Sequence, residues 1–334
     1  MEDLKQTLKI SIFIPVYNGE CFIATTLDSV LKQSYRNWEV LCVDDSSTDN
    51  SFALLQQYAE KDGRIKVYRK ENGGDVPHSW QFITPHIGGD FTLYMSQDDL
   101  LDEDTLEKLV CRQEETGADA VIPTVIWYQE GVPLDNDKNW VGVGGDTSVI
   151  LSGKEAFELM MDYSIAGNAI WKTQIVKDFP VGTLSYNSDE YSQRDWASRC
   201  KKVAFSDARF YYSQYNPDAI TKQRFSEMYL FNSLADSMMI VRAHEIGASP
   251  QRISMLANDI FLTLESYMNW LHENRNKIQV SKIIELKRML KTAYNNIRAD
   301  VTLKGWKNRI GRMCFGCFEA IVVYKRFAKQ LKSL

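Results

Sequence analysis

The chain has 334 residues, 44% of them hydrophobic and 25% charged, with a formal net charge of −5. That balance excludes a disordered chain and leaves length for two domains or for one with an appendage. The total hides an asymmetry: residues 275–334 hold 15 Lys+Arg against Glu285, Asp300 and Glu319, so this stretch carries +12 and the rest −17. A basic tail behind so acidic a body argues against nucleic acid as a partner. No run approaches the roughly 18 apolar residues of a membrane span. Residues 1–9 lack the basic-then-apolar order of a signal peptide, so a cytoplasmic location is expected. Six scattered cysteines suit a reducing compartment. Cys314-Phe-Gly-Cys317 has CxxC spacing but no second pair, and its apolar neighbours Phe315, Phe318, Ile321, Val322 and Val323 favour a packing role.

In chain order, Ile10–Val16 reads as a strand halted near Pro15 and followed by Tyr17-Asn18-Gly19, and Glu20–Gln33 has helical apolar spacing. Trp38–Val43 is a second strand, running into Asp44-Asp45-Ser46-Ser47-Thr48-Asp49; Ser51–Tyr58 is a helix with Asp49 or Ser47 as its cap. Ile65–Tyr68 is a third strand before the turn Glu71-Asn72-Gly73-Gly74, and a short helix is expected near Ser79–Ile83. Phe91–Gln97 is an apolar run that delivers Asp98-Asp99, and a helix follows over Asp104–Glu115. This alternation predicts a largely parallel sheet with helices on both faces. Ala118–Tyr128 and Lys202–Tyr212 are further strands, and beyond Phe225 the pattern is helical throughout, with Ile253, Leu256, Ile260, Leu264, Tyr267 and Leu271 on one face. The expected division is 1–225 for an α/β domain and 226–334 for a helical region. The four histidines have no partner at metal-ligand spacing.

Two adjacent carboxylates at a strand end suit a hard divalent cation, and open α/β sheets bind ligands at the carboxyl ends of their strands. Ile14-Pro15-Val16-Tyr17-Asn18, Val43-Asp44-Asp45-Ser46-Ser47-Thr48-Asp49, Glu71-Asn72-Gly73-Gly74 and Gln97-Asp98-Asp99 occur in one order. That series resembles the family-2 glycosyltransferases with the GT-A fold, over roughly residues 8–225. The resemblance implies an inverting, metal-dependent enzyme that moves a sugar from a nucleotide donor, UDP-linked, to a glycan or lipid-linked acceptor in bacterial surface-polysaccharide assembly. It implies Asp99 as ligand of Mn2+ or Mg2+, Asp98 facing the ribose or donor sugar, Asp45 with its neighbour Asp44 at the uracil, and Pro15 and Tyr17 flanking the base. The arginine often found after the Gly-Gly turn is missing from Pro77-His78-Ser79-Trp80-Gln81, so phosphate contact would fall to Arg69, Lys70 or the metal alone.

Direct displacement with inversion needs a carboxylate at the acceptor hydroxyl. By the same resemblance, Asn187-Ser188-Asp189-Glu190-Tyr191-Ser192-Gln193-Arg194 is the segment that supplies it, with Asp189 preferred to Glu190 and Asp195 a third candidate. Tyr212–Thr221 is similar to a loop that closes over the donor diphosphate. A sugar-phosphate nucleotidyltransferase and a non-catalytic nucleotide-sugar-binding module are the alternatives; the first should open on a Gly-rich loop, and Gly19 is the only glycine there. The basic aromatic tail, residues 275–334, suits an anionic membrane surface at the inner face of the cell membrane. A packing or homo-oligomer arm competes with that role.

Overall fold

A computed structural model of the chain describes residues 8–129, 139–182, 188–213 and 227–332. The chain falls into two compact units, Met1–Thr183 with Ser192–Asn216 and Leu184–Tyr191 with Pro217–Leu334. The expected boundary at 225/226 lies outside the described residues.

The first unit runs β1 (Ile10–Val16), α1 (Ile23–Leu31), β2 (Trp38–Asp44), α2 (Ser51–Lys61), β3 (Ile65–Arg69), α3 (Val76–Ile83), β4 (Phe91–Tyr94), β5 (Leu100–Leu101), α4 (Thr105–Thr116), β6 (Ala120–Tyr128), β7 (Ile150–Leu151), α5 (Gly153–Met160), β8 (Ile170–Lys172), α6 (Thr173–Asp178), α7 (Ser188–Arg199) and β9 (Val203–Ser213); the first turn of α7 falls to the other unit. The described strands form one sheet in the order β3-β2-β1-β4-β8-β6-β9-β5, with β7 on β9. Only β3, β2, β1 and β4 form the continuous parallel block that the alternation predicts. β8 lies antiparallel between β4 and β6, β9 is parallel to β6, and β5 and β7 are antiparallel to β9, so the sheet is mixed.

In β2 every residue is buried, and in β1 all but Pro15. A strand with one wet face would alternate; burial on both sides means cover on both faces of the sheet. Trp80 of α3 meets Phe13 of β1 edge-on at 4.6 Å and Trp196 of α7 at 5.4 Å, and Trp171 of β8 meets Trp196 at 5.9 Å. This chain of aromatic rings joins the parallel block to the antiparallel half. Two local details differ from the sequence expectation. The cap position of α2 is Asn50, without a side-chain cap bond, while Asp49 accepts from the Ser51 N–H and hydroxyl. The fourth strand stops at Tyr94, so Asp98 and Asp99 stand in a turn closed by the Asp99 N–H donating to the Ser96 carbonyl.

The second unit contains α8 (Glu227–Glu245), α9 (Pro250–Asn274), α10 (Val280–Ile297), α11 (Trp306–Gly311) and α12 (Phe315–Lys332). The periodic residues Ile253, Ile260, Leu264, Tyr267 and Leu271 of α9 are buried with Leu290 and Tyr294 of α10 and Phe318 and Val322 of α12. Among the described residues no helix is long and apolar enough to cross a membrane.

Glu39, on β2 and almost fully buried, accepts hydrogen bonds from the Ser11 hydroxyl at 2.7 Å, Lys66 at 2.7 Å and the Gly88 N–H at 3.1 Å, and pairs with Lys9 at 2.8 Å. Burial pushes its pKa up, but the bonds from Lys66, Lys9 and Ser11 outweigh it and hold the carboxyl at about 2. The folded-state pKa is therefore depressed, so the stabilisation is complete above the ordinary value of 4.5 and is lost as pH falls through about 2. Glu39→Gln is expected to cost about 2 kcal/mol at pH 7, a deficit that shrinks as pH drops below 4.5 in urea titrations of both proteins. A deficit that stays constant down to pH 3 would contradict this account.

Candidate active site

The parallel register sets Val16 beside Asp44 and Asp44 beside Arg69, so β1, β2 and β3 end at one rim. The loops that leave the rim are laced together. Asn18 stands at φ +48°; its N–H donates to the Ser47 hydroxyl at 3.0 Å and its side-chain oxygen accepts from the Thr48 N–H at 2.8 Å. The Gly19 N–H donates to the Ser51 hydroxyl at 2.8 Å, and a Cβ on Gly19 would press on the Gln97 amide and displace it. Gln97 in turn accepts from the Tyr17 N–H at 2.9 Å and donates to the Tyr17 carbonyl at 3.2 Å. Gln97 thus ties the turn of Asp98 to the loop after β1.

Each carboxylate of the rim has its own environment. Asp44 is fully buried, paired with Arg69 Nε at 3.2 Å and accepting from the Ser47 N–H at 3.3 Å. At the end of β2 it is held by the half-exposed Arg69 and braces the loop through the Ser47 N–H. Asp45 is 7% exposed, ion-paired with Lys70, and accepts from the Gly73 N–H at 2.9 Å. Tyr17 is about half exposed and Pro15 partly so. Asp99 is buried: its Oδ2 accepts from the Ser96 N–H at 2.8 Å and its Oδ1 from the Ser213 N–H at 3.1 Å. Burial, and after it the charge of Asp98, raise its pKa to about 8 against the pull of those two N–H groups. Asp98 is half-buried and hydrogen-bonded by the Ser213 hydroxyl, with a pKa raised by burial. The division of labour expected within the pair therefore meets an obstacle. The oxygens of Asp99 are taken by backbone donors, whereas Asp98 keeps contact with solvent.

Arg69 and Lys70, the expected phosphate contacts, are engaged with Asp44 and Asp45. Among the described residues no three His, Cys, Asp or Glu side chains gather to hold a metal. A hard cation that takes most of its ligands from substrate phosphates and water needs only one or two carboxylates, and a half-buried Asp98 at a strand end fits that donor set.

Asp189 and Glu190 stand in the first turn of α7. The side chain of Asp189 lies outside the described residues, and Glu190 is half-buried. Further along α7, Arg194 is buried, donates to the Met160 carbonyl at 3.2 Å and lies 4.8 Å from the centre of the Tyr163 ring. Asp195, the third candidate base, is buried and paired with Arg199 at 2.8 Å. The expected closing loop begins at Tyr212 and Ser213 of β9; its remainder, 214–221, lies outside the described residues. Sequence reasoning missed three residues of the site: Lys70 as partner of Asp45, Gln97 as the link between loops, and Ser213 as the donor to both aspartates. Gln97 adjoins the pair and was open to notice, but Ser213 is 114 residues away and leaves no local signal.

A mixed sheet whose parallel strands end together at a carboxylate-lined rim is the arrangement of an α/β nucleotide-binding domain. Residues 11–174 match the model of the family described as Glycosyl transferase family 2. Residues 11–174 form a family-2 glycosyltransferase domain, and the chain has the GT-A fold. TuaG of Bacillus subtilis, described as a putative teichuronic acid biosynthesis glycosyltransferase, is 36% identical over 128 residues, 38% of this chain and 50% of that protein. The chain spans between 35% and 50% of the length of the first curated relatives it matches. Residues 1–349 of TarS from Staphylococcus aureus, solved with UDP-GlcNAc, share the fold at a TM-score of 0.64 and 17% identity, over 96% of this chain and 92% of that one. The mannosyltransferase PcManGT of Pyrobaculum calidifontis, solved with GDP-Man and Mn2+, has a TM-score of 0.53 at 14% identity, over 96% and 88%.

The lacing of the rim can be tested at Asn18. Asn18→Gly removes the side-chain bonds but tolerates the positive φ, at about 1 kcal/mol; Asn18→Ala loses the same bonds and adds strain, for about 2 kcal/mol in all. Equal denaturant midpoints for the two variants would show that the backbone conformation there carries no strain.

Proposed function

We propose that the chain transfers a sugar from a nucleotide donor, UDP-linked, to a hydroxyl of a glycan or lipid-linked acceptor, with inversion, in the assembly of a bacterial surface polysaccharide. One observation carries this: within the family-2 domain, Asp45 and Asp98 follow the two parallel strands that flank β1, β2 and β4, a carboxylate for each end of a nucleotide diphosphate. Asp45 accepts the imide N–H of uracil, a donor suited to a carboxylate, and Tyr17, with Pro15 beside it, covers the face of the base. Lys70 must then release Asp45 or share it, and a freed Lys70 stands as a cation near the phosphates.

A divalent cation, Mn2+ or Mg2+, would be held by Asp98 with the diphosphate oxygens, and when bound it supplies charge neutralisation for the departing nucleotide. Asp99 holds the turn and the end of β9 in place, and Asp98 takes the metal-ligand role that the resemblance gives to Asp99. An acid in the first turn of α7, Asp189 before Glu190, takes the proton of the acceptor hydroxyl as its oxygen attacks the anomeric carbon and the bond to the diphosphate breaks. Support for UDP comes from the TarS complex and for a metal from the PcManGT complex, both likenesses of fold.

The basic tail of the second unit takes a peripheral position at the inner, anionic face of the cytoplasmic membrane, the surface that carries a lipid-linked acceptor. Ile310, Met313, Tyr324 and Phe327 are exposed among the Lys and Arg of α11 and α12, an apolar and basic mixture that suits such a surface.

UDP release from UDP-sugars in the presence of Mn2+ tests the activity. Asp98→Asn is expected to lower it by about 100-fold or more, and one of Asp189→Asn and Glu190→Gln by about 100-fold to 10,000-fold. Full turnover in both α7 variants would remove that turn from the mechanism. For the membrane, the protein should co-sediment with vesicles containing phosphatidylglycerol at low salt and dissociate as salt rises, with Phe327→Ser weakening the association; no pelleting at low salt would sink the idea.

A further inference from the structure

The CxxC segment, which the sequence assigns to packing, sits differently in the fold. The buried face of α12 is made by Phe318, Ile321 and Val322, whereas Cys314 is exposed and Cys317 partly so. The two sulphurs are 3.4 Å apart, and the Cys317 N–H donates to Cys314 Sγ at 3.4 Å. A disulfide needs about 2.05 Å between sulphurs, so a small rotation of side chains with free surface closes the bond. The surrounding frame is firm: the Tyr294 hydroxyl donates to the Gly311 carbonyl at 2.7 Å, the Arg298 guanidinium donates to the Met313 carbonyl at 3.2 Å, and Phe318 packs against Tyr294 and Phe261 at 5.3 and 5.1 Å.

We propose that Cys314 and Cys317 are a redox-active dithiol, a site of reversible disulfide formation with small-molecule disulfides of the glutathione type. Cys314 attacks first, because three features favour its thiolate. The Cys317 N–H and thiol hydrogen-bond its sulphur and the Arg298 charge lies near, so its pKa is lowered; the same contact raises that of Cys317. Nucleophilic thiols of this kind stand at helix N-termini beside a basic group. The Cys314 thiolate attacks one sulphur of the small disulfide, forms a mixed disulfide and releases one small thiolate. Cys317 then gives up its proton to solvent and its sulphur attacks Cys314 Sγ, releasing the second. The protein loses two electrons and two protons, and the small disulfide is reduced to two thiols.

The whole protein, incubated with oxidised glutathione and then alkylated with N-ethylmaleimide, provides the test. Trypsin releases residues 313–325 as one peptide with both cysteines. This peptide is expected to lose the mass of two hydrogens and to take up no label, and dithiothreitol should restore two labels. The exposed Cys21 must remain alkylated under the same conditions. Two labels after oxidation, or glutathione retained on the peptide, would overturn the proposal. Cys317→Ser should stop at a glutathione adduct on Cys314, while Cys314→Ser leaves Cys317 largely unmodified; equal adducts in the two variants would overturn the order of attack.

Discussion

The structure depends on the parallel register that binds β1 to β2 on one side and β4 on the other. Ile10 pairs with both Trp38 and Phe91, so the strands advance together and their carboxyl ends reach the same rim. Because these strands are buried on both faces, polar groups cannot emerge along their length without large desolvation costs. Within these three strands the one charge ahead of the carboxyl ends, Glu39, is held by Lys9, Lys66, Ser11 and Gly88; the rest gathers at the carboxyl ends, and those ends coincide. Asp44, Asp45, Arg69, Lys70, Asp98 and Asp99 stand near one another because the sheet's interior has no place for them.

A rim so dense in charge must be neutralised even without a ligand, and protein groups do so in layers. The inner layer is built on two buried carboxylates: Asp44 pairs with Arg69, itself about half exposed, and accepts from the Ser47 N–H, and Asp99 accepts from the N–H groups of Ser96 and Ser213. The outer layer is exchangeable in principle. Asp45 with Lys70, and Asp98 with the Ser213 hydroxyl, have ionic or hydroxyl partners that a ligand group can replace. Breaking a buried ion pair by removing one partner is costly, whereas substituting a new donor for the old one is nearly neutral. The same logic separates the residues that hold the rim from those that would meet a donor.

Much of this was legible in the sequence, and the illegible parts have physical reasons. The apolar runs of β1 and β2, the helical period of α9 and the order of the four loop segments depend on local pattern, and the family and the fold follow from them. The antiparallel insertion of β8 between β4 and β6 does not, since a three-residue strand has no period to detect. The roles of Asp98 and Asp99 are equally hidden. Neighbours in a turn point in different directions, and Ser213, from the far end of another strand, gives its N–H to Asp99 and its hydroxyl to Asp98. The exposure of Cys314 was masked by its apolar neighbours, of which Phe318, Ile321 and Val322 form the buried face of α12.

The helical unit presents the converse problem, with positive charge in excess. Its core is closed by aromatic and aliphatic contacts, such as Tyr294 with Phe318 and Phe261 with Phe318, which require no charge. Some of its acids are used for internal pairing: Lys325 with Glu265 at 2.6 Å, and Lys287 with Glu319. Most of the cations in residues 275–334 have no such acid within that stretch, which contains only three. Unneutralised like charge raises the energy of a compact unit through self-repulsion, and lysine and arginine on exposed helix faces contribute little to packing beyond their stems. The surplus therefore works against the fold that bears it. An external anion would remove this repulsion at the moment of binding, and the anionic surface proposed above would do so for many cations at once, while Met313 and Phe327, 67% and 61% exposed, would exchange water for an apolar phase. On that proposal, the same surplus that destabilises the free unit is what would favour its attachment.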